Sequence, residues 1–402
     1  MLFSLLYTLI FAASFLIVIS ALVFFHELGH YSVARAFNVA VERFSIGFGK
    51  PIAKWTAKSG TEWTINSIPL GGYVKFLGDA GAASNPDTAE LDRIKTSLET
   101  ATMSGERSVS IEDCFHFKPL WQRVLVVLAG PMANFLLAII IFAALAQTIG
   151  TRDFKSLVTS VAPLGAAEAA GVKIGDQFLT MDGKDVSKAN DLISYVALRS
   201  DNEIETRLLR GNDTITLTVT PQSLERKDFI GGRNKIGTIG VGVGGRDAEV
   251  RVTYNPLTSL QYGVGQVGST IGMTGRYIGR IFTGAEDGKA LGGVVRIATM
   301  TGKTAVDSAK LDVPIPQRLK IMVLNLIQLS AALSIGLGVA NLMPIPVLDG
   351  GHLLYYGYEA VAGRPLDMKK QELGFKIGFA FLLTLMVVLT WNDIGYIRSL
   401  FS

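Results

Sequence analysis

A single cysteine, Cys114, serves all 402 residues, so no internal disulfide and no thiolate metal cluster can form, and stability must come from packing and from a bilayer. Charge is missing where a soluble chain would carry it: the run from Leu2 to Phe25 contains none. At ~1.5 Å per residue that run is long enough to cross ~30 Å of hydrocarbon. The basic n-region and small-residue cleavage site of a secretory signal are also absent, and cleavage would remove the helix leading into His26, so the run reads as a retained span. No basic cluster with interleaved aromatics occurs either. The net charge of +4 and pI near 9.0 are therefore read as a consequence of membrane topology, and no nucleic-acid partner is expected. What the chain has in quantity is apolar surface, with 49% hydrophobic residues and a mean hydropathy of +0.36, which excludes a simply soluble protein of two or three domains.

At the end of the first apolar run stands His26-Glu27-Leu28-Gly29-His30, an H-E-x-x-H pattern. On a helix, residues four apart share a face, so both imidazoles can meet one metal ion with Glu27 beside it. The chemistry this suggests is zinc-assisted hydrolysis: two histidines leave zinc needing a third protein ligand and an open position for water, whose proton the neighbouring carboxylate accepts. The competing reading takes these residues as interfacial polar groups at a helix end. A soluble zincin on a membrane anchor is a further alternative. Its metzincin subclass would need Gly and His where the chain has Val33 and Ala36, so that subclass is excluded and the third ligand lies elsewhere.

Taken in order, residues 1–38 form the first transmembrane helix. Residues 39–118 form a cytoplasmic region of Gly-punctuated, strand-like sequence up to Phe76, then a polar mobile loop from Gly78 to Ser110. The strands suit backbone pairing with an extended peptide, for which Ile46 to Gly49 are the candidates; a surface sheet without a substrate role is the alternative. Residues 119–150 form the second span, in which Gly130 and Pro131 read as a tolerated kink while Asn134 stays open. A soluble α+β domain at 155–222 follows, then a connector at 223–318 with a membrane-surface segment at 256–282. The third transmembrane segment, 319–350, ends in Asn341-Leu342-Met343-Pro344-Ile345-Pro346-Val347-Leu348-Asp349-Gly350, where two prolines demand irregular backbone. A carboxylate at that depth is costly unless paired or metal-bound, which makes Asp349 the natural third zinc ligand. Asp349 as a plain turn residue is the minor reading beside an unfinished two-histidine site. A connector at 351–374 and a fourth transmembrane helix at 375–396 complete the chain. Lys and Arg are absent from the N-terminus, whereas Arg364, Lys369, Lys370 and Lys376 accompany the last connector, so that connector and residues 31–118 are expected in the cytoplasm and the 155–222 domain outside.

The run Ala169 to Asp176, the Asp182-Gly183 turn and the Asp191-Leu192 helix start resemble a bacterial PDZ domain, which implies a groove that takes a peptide by strand addition. Together, His26-Glu27-Leu28-Gly29-His30, Gly47-Phe48-Gly49, the Asn341 to Gly350 motif and the domain between spans two and three resemble the site-2 protease family of intramembrane zinc metalloproteases. Within that family the motifs resemble its bacterial branch that includes the regulator of sigma-E protease. The resemblance implies a polytopic α-helical membrane protein of four transmembrane helices, with membrane-associated β-strands and one inserted PDZ domain. It implies that His26, His30 and Asp349 bind Zn2+, that Glu27 is the general base, and that Asn341 holds the substrate backbone or stabilises its oxyanion. It further implies a bacterial inner-membrane location, with the active site near the cytoplasmic side and the PDZ domain periplasmic. The implied substrate is a single-span membrane protein, such as an anti-sigma factor, already trimmed by another protease. Two departures stand out: one PDZ copy where many relatives have two, and Gly293-Val294-Val295-Arg296 where relatives tend to have Gly-Pro. The rival functions are a membrane metal transporter, against which the chain offers a general base and no evident inverted repeat, and an inert PDZ scaffold, which would not need Glu27 and Asp349.

Overall fold

The uncharged N-terminal run folds as one helix, α1 (Leu2–Ala36), in a computed structural model that describes residues 2–79, 113–197, 199–227, 233–244, 249–284 and 291–401. The expected loop from Gly78 to Ser110 thus lies outside the described residues from position 80 onward. A curled hairpin follows, β1 (Val41–Thr56) and β2 (Glu62–Phe76), and then α2 (Leu120–Thr148), which keeps Pro131 inside its helix. Later in the chain come α6 (Val294–Ala309), α7 (Ile315–Asn341), α8 (Asp349–Ala362) and α9 (Met368–Phe401). Helices α1, α2, α7 and α9 are long and apolar enough to cross a membrane. With no water in hydrocarbon to bond the backbone, helices satisfy every internal amide within one segment, which is why apolar composition and helicity coincide here.

Small residues and buried hydroxyls bring these helices together. A Cβ on Gly29 of α1 would lie 2.2 Å from the Ala129 carbonyl oxygen, so α1 and α2 touch backbone to backbone. Ser334 of α7 donates to the Asn134 carbonyl of α2 at 2.8 Å, and Asn325 of α7 donates to Ser308 of α6 at 3.2 Å. Helix α6 lies in the stretch that the sequence reading leaves as a connector, 223–318. Its first turn is closed by Asp393 of α9, whose carboxylate accepts the Gly293 and Arg296 amides at 3.0 and 2.9 Å and pairs with the Arg296 guanidinium at 3.1 Å. Those bonds answer the departure at 293–296: a glycine amide and an arginine there let Asp393 of the last helix cap α6.

The hairpin doubles on itself, because Phe44 opposes both Val74 and Trp63, and Ile46 opposes both Gly72 and Ile65. Segment 43–46 is thereby an inner strand, whereas 72–76 has a strand partner on one side only among the described residues. Phe44 stacks on Trp63 with centroids 4.2 Å apart, Tyr31 of α1 meets both rings edge-on, and the cluster also holds Ala34, Val39 and Val126.

A second compact unit contains residues 143–262 and 272–290. Its four-stranded sheet has the order β6 (Lys184–Asp185), β5 (Gln177–Met181), β7 (Ile204–Arg210), β8 (Asp213–Val219). Two helices, α3 (Ala166–Ala169) and α4 (Ala189–Ala197), pack on a core of Val158, Phe178, Met181, Leu192, Ile204 and Leu208. Strand pairing reaches past residue 222, where the sequence reading ends the domain. After β9 (Gln222–Lys227) and β10 (Arg233–Thr238), which pair with each other, β11 (Val241–Val243) pairs with β4 (Val158–Val161) and β12 (Glu249–Val252) with β3 (Thr151–Phe154). The segment expected at the membrane surface is a helix, α5 (Pro256–Phe282), opened by a capping box between Asn255 and Thr258.

Candidate active site

Helix α1 places His26 and His30 on one face, one turn apart, both buried, with ring centroids 4.8 Å apart. Asp349 reaches them from the start of α8, after an irregular stretch in which Ile345 and Leu348 close tight turns onto Met343 and Ile345. That turn exists because Gly350 and Gly351 lack side chains: a Cβ there would lie 2.2 Å from the Met343 carbonyl oxygen and 2.3 Å from that of Ile345. A bidentate pair between Arg123 of α2 and Glu359, at 3.2 and 2.5 Å, ties α8 to α2, with the guanidinium 5.0 Å over the Tyr356 ring.

The three donor groups form a triangle. The two Nε2 atoms are 3.2 Å apart, His26 Nε2 is 3.2 Å from Asp349 Oδ2, and His30 Nε2 is 3.5 Å from Asp349 Oδ1. A tetrahedral zinc ion with bonds of about 2.1 Å separates its ligand atoms by about 3.4 Å, so the spacing of the three groups, each histidine being measured to its nearer Asp349 oxygen, is of the right size. Its electrostatics agree. The Nδ1–H of His30 donates to the Val126 carbonyl at 2.8 Å, which leaves Nε2 of the neutral ring with a bare lone pair, and Asp349 Oδ2 is buried without a hydrogen-bond donor. A bare imidazole lone pair and a carboxylate at this spacing repel one another unless a cation lies between them, and two histidines with one carboxylate are a donor set suited to zinc. Among the described residues these three are the group of side chains able to share a metal.

Glu27 faces the same cavity of about 190 Å3, which is also lined by Gly72, Asn341, His352 and Tyr356. That volume holds several waters. The Glu27 carboxylate accepts the Val74 amide of β2, and the absent Gly72 side chain lets β2 pass close, since a Cβ there would be 3.3 Å from Glu27 Cγ. All five sequence-chosen residues, His26, Glu27, His30, Asn341 and Asp349, therefore meet at one cavity. Two expectations change. The strand that lines the cavity beside Glu27 is Gly72–Val74, not Ile46–Gly49, of which Ile46 is already paired on both sides and Phe48 pairs with Ile68. Gly130 is not a tolerated kink: a Cβ there would stand 2.2 Å from His30 Nε2 and 2.9 Å from His26 Cε1, so its bare backbone is what admits the imidazoles. Sequence reasoning also passed over His352, whose only signal was its place three residues after Asp349.

In the second unit, a groove of about 340 Å3 runs between α4 and β11, lined by Leu192, Val196, Leu224, Ile239, Val241 and Val243. Beside it, β11 pairs only with β4 among the described residues.

The description Peptidase family M50 matches residues 14–385 of the chain. The chain is 40% identical to Metalloprotease MmpA of Caulobacter vibrioides over 391 residues, 96% of each protein. It is 29% identical to Zinc metalloprotease RasP of Bacillus licheniformis, with 95% of this chain and 98% of that protein covered. Among solved structures, the PDZ domain of a Listeria monocytogenes SdrC-like protein aligns at 17% identity over 23% of this chain and 85% of that one, with a TM-score of 0.18 that lends the fold no support. The chain belongs to peptidase family M50, the site-2 protease family, and is a zinc metalloprotease.

Proposed function

We propose that the protein hydrolyses peptide bonds within or next to the transmembrane segments of single-span membrane proteins, with His26, His30 and Asp349 holding the zinc ion. The observation that carries this reading is the cluster of three donor groups whose nearest atoms are 3.2–3.5 Å apart, with Glu27 next to it, among helices apolar enough to cross a membrane. Bound there, zinc would supply Lewis-acid polarisation of the scissile carbonyl. Glu27, buried beside the metal and oriented by the Val74 amide, takes a proton from water at its free carboxylate oxygen and returns it to the departing amide nitrogen. Asn341 faces the cavity from the end of α7 and donates from its side-chain amide to the substrate carbonyl. A helical substrate has its carbonyls closed by its own hydrogen bonds, so it must unwind. The edge at Gly72–Val74 offers an extended segment backbone partners beside Glu27.

The second unit reads as a PDZ domain on the periplasmic side of the inner membrane, acting as a sieve that admits substrates already trimmed by another protease, with its α4–β11 groove open to a peptide end. The charge of the connector at Arg364, Lys369 and Lys370 supports a cytoplasmic water entry. The test is cleavage of a tagged single-span protein in proteoliposomes. Wild type should cut it inside or beside the span, and Glu27→Gln should be slower by at least ~100-fold. Equal rates for the two proteins would overturn the assignment of Glu27.

A further inference from the structure

Val126, Gly130 and Asn134 lie four residues apart on α2 and form a stripe that meets the His26–His30 stripe of α1. Each member does something to an imidazole. The Val126 carbonyl accepts from His30 Nδ1, Gly130 leaves room for both rings, and the Asn134 side-chain amide lies 3.0 Å from His26 Nδ1. Asn134 is completely buried in an otherwise apolar stretch, and its backbone is fixed by the Ser334 hydroxyl of α7 at 2.8 Å. With the amide nitrogen turned toward His26, the amide oxygen is buried without a hydrogen-bond partner. The two ends of an amide have nearly the same shape, so the orientation is decided by which atom the ring requires.

We propose that Asn134 is the positioning residue for His26: its amide oxygen accepts the Nδ1–H of His26 and so holds the ring in the tautomer and rotation that aim the Nε2 lone pair at the metal. This rests on the reading of His26 as a zinc ligand. A metal-bound histidine gives its other N–H to an acceptor, which fixes the ring and strengthens the bound nitrogen as a ligand. His30 finds that acceptor in a main-chain carbonyl. The group at His26 Nδ1 is a side chain, so here the acceptor is a matter of residue choice. An amide provides an acceptor oxygen of carboxylate shape without adding a second negative charge beside Asp349.

The experiment measures zinc stoichiometry and dissociation constant, by competition with a chelator, on the purified full-length protein. Asn134→Leu keeps the shape and removes the acceptor, and should weaken zinc binding by ~10- to 100-fold. Asn134→Asp keeps an acceptor and cannot donate, and should bind zinc within about threefold of wild type or more tightly. Wild-type affinity in Asn134→Leu, or a loss in Asn134→Asp as large as in Asn134→Leu, overturns the proposal. His26→Ala, measured alongside, separates the two ideas: zinc retained there overturns the ligand reading itself, whereas zinc lost there with Asn134→Leu unchanged overturns only the role of Asn134. Should Asn134→Leu fail to fold, histidine-selective nitrogen NMR of the zinc-loaded wild type decides. A proton on Nδ1 of His26 is the expected result, and a proton on Nε2 is the refuting one.

Discussion

Gly130→Ala should separate the metal site from the stability of the fold. The new Cβ would stand 2.2 Å from His30 Nε2, 2.5 Å from His30 Cε1 and 2.9 Å from His26 Cε1, where ordinary contact begins at 3.4 Å. The first of these requires His30 to retreat by 3.4 − 2.2, about 1.2 Å, if the backbone stays in place. The nearest atoms of the three donor groups are 3.2–3.5 Å apart, and a movement of that size would pull His30 out of the cluster. A displacement of ~1 Å in a catalytic constellation costs about 100-fold in rate, or ~2.7 kcal/mol of transition-state stabilisation. Helix propensity works in the opposite direction, because alanine inside a helix is favoured over glycine by ~0.5–1 kcal/mol. The variant should therefore fold at least as well as wild type while losing zinc and cutting at least ~100-fold more slowly. Zinc by atomic emission, cleavage of a tagged single-span protein and thermal unfolding are read on the same preparation. Gly336→Ala on α7, whose Cβ would meet nothing within 4 Å, is the control and should match wild type. Full zinc and full rate in Gly130→Ala would refute the steric argument, and so would zinc loss seen only together with unfolding.

Sidedness can be tested with a cysteine reagent that does not cross membranes: a Cys placed at Asn212 should react in intact cells and one at Lys369 should not, and the reverse pattern contradicts the charge argument. In the second unit, Arg210 bonds both oxygens of buried Asp176 at 2.8 Å and holds that carboxyl below its ordinary range. A lowered folded-state pKa stabilises above the unfolded value of ~3.9 and the gain fades as pH falls below it, so Arg210→Leu should destabilise this unit more at pH 6 than at pH 3 by hydrogen exchange. An equal effect at both pH values would mean that carboxylate pairing is not the source. Deleting residues 151–252, which removes both partners of every strand pair in the unit, should let untrimmed substrate be cut if the unit is a sieve and weaken cleavage of trimmed substrate if it recruits. Unchanged selectivity would remove both roles.

The long apolar helices and the cluster of candidate metal-binding side chains were legible because their signals are local. An uncharged run of that length reads as one long apolar helix, two histidines four apart need only that helix to meet, and a carboxylate after two prolines beside apolar helices needs a partner. What escaped depends on contacts between distant segments. Helix α6 is capped by Asp393, about a hundred residues later, and nothing in its own sequence announces that cap. Gly130 looks like any glycine in a membrane helix until α1 is laid against it, and the pairing of 43–46 on both sides follows from a hairpin that doubles back. The boundary at 222 missed the late strands for a related reason. Val241–Val243 and Glu249–Val252 pair with strands about 80 to 100 residues earlier, across glycine-rich sequence that reads as a connector.

Zinc content across four single variants tests the central claim most directly. His26→Ala, His30→Ala and Asp349→Ala each remove one corner of the triangle and should purify folded with little or no zinc. Glu27→Gln, which leaves all three ligands intact, should retain one zinc per chain while losing cleavage. Stoichiometric zinc with full cleavage in Asp349→Ala, or zinc lost from Glu27→Gln, would contradict the account.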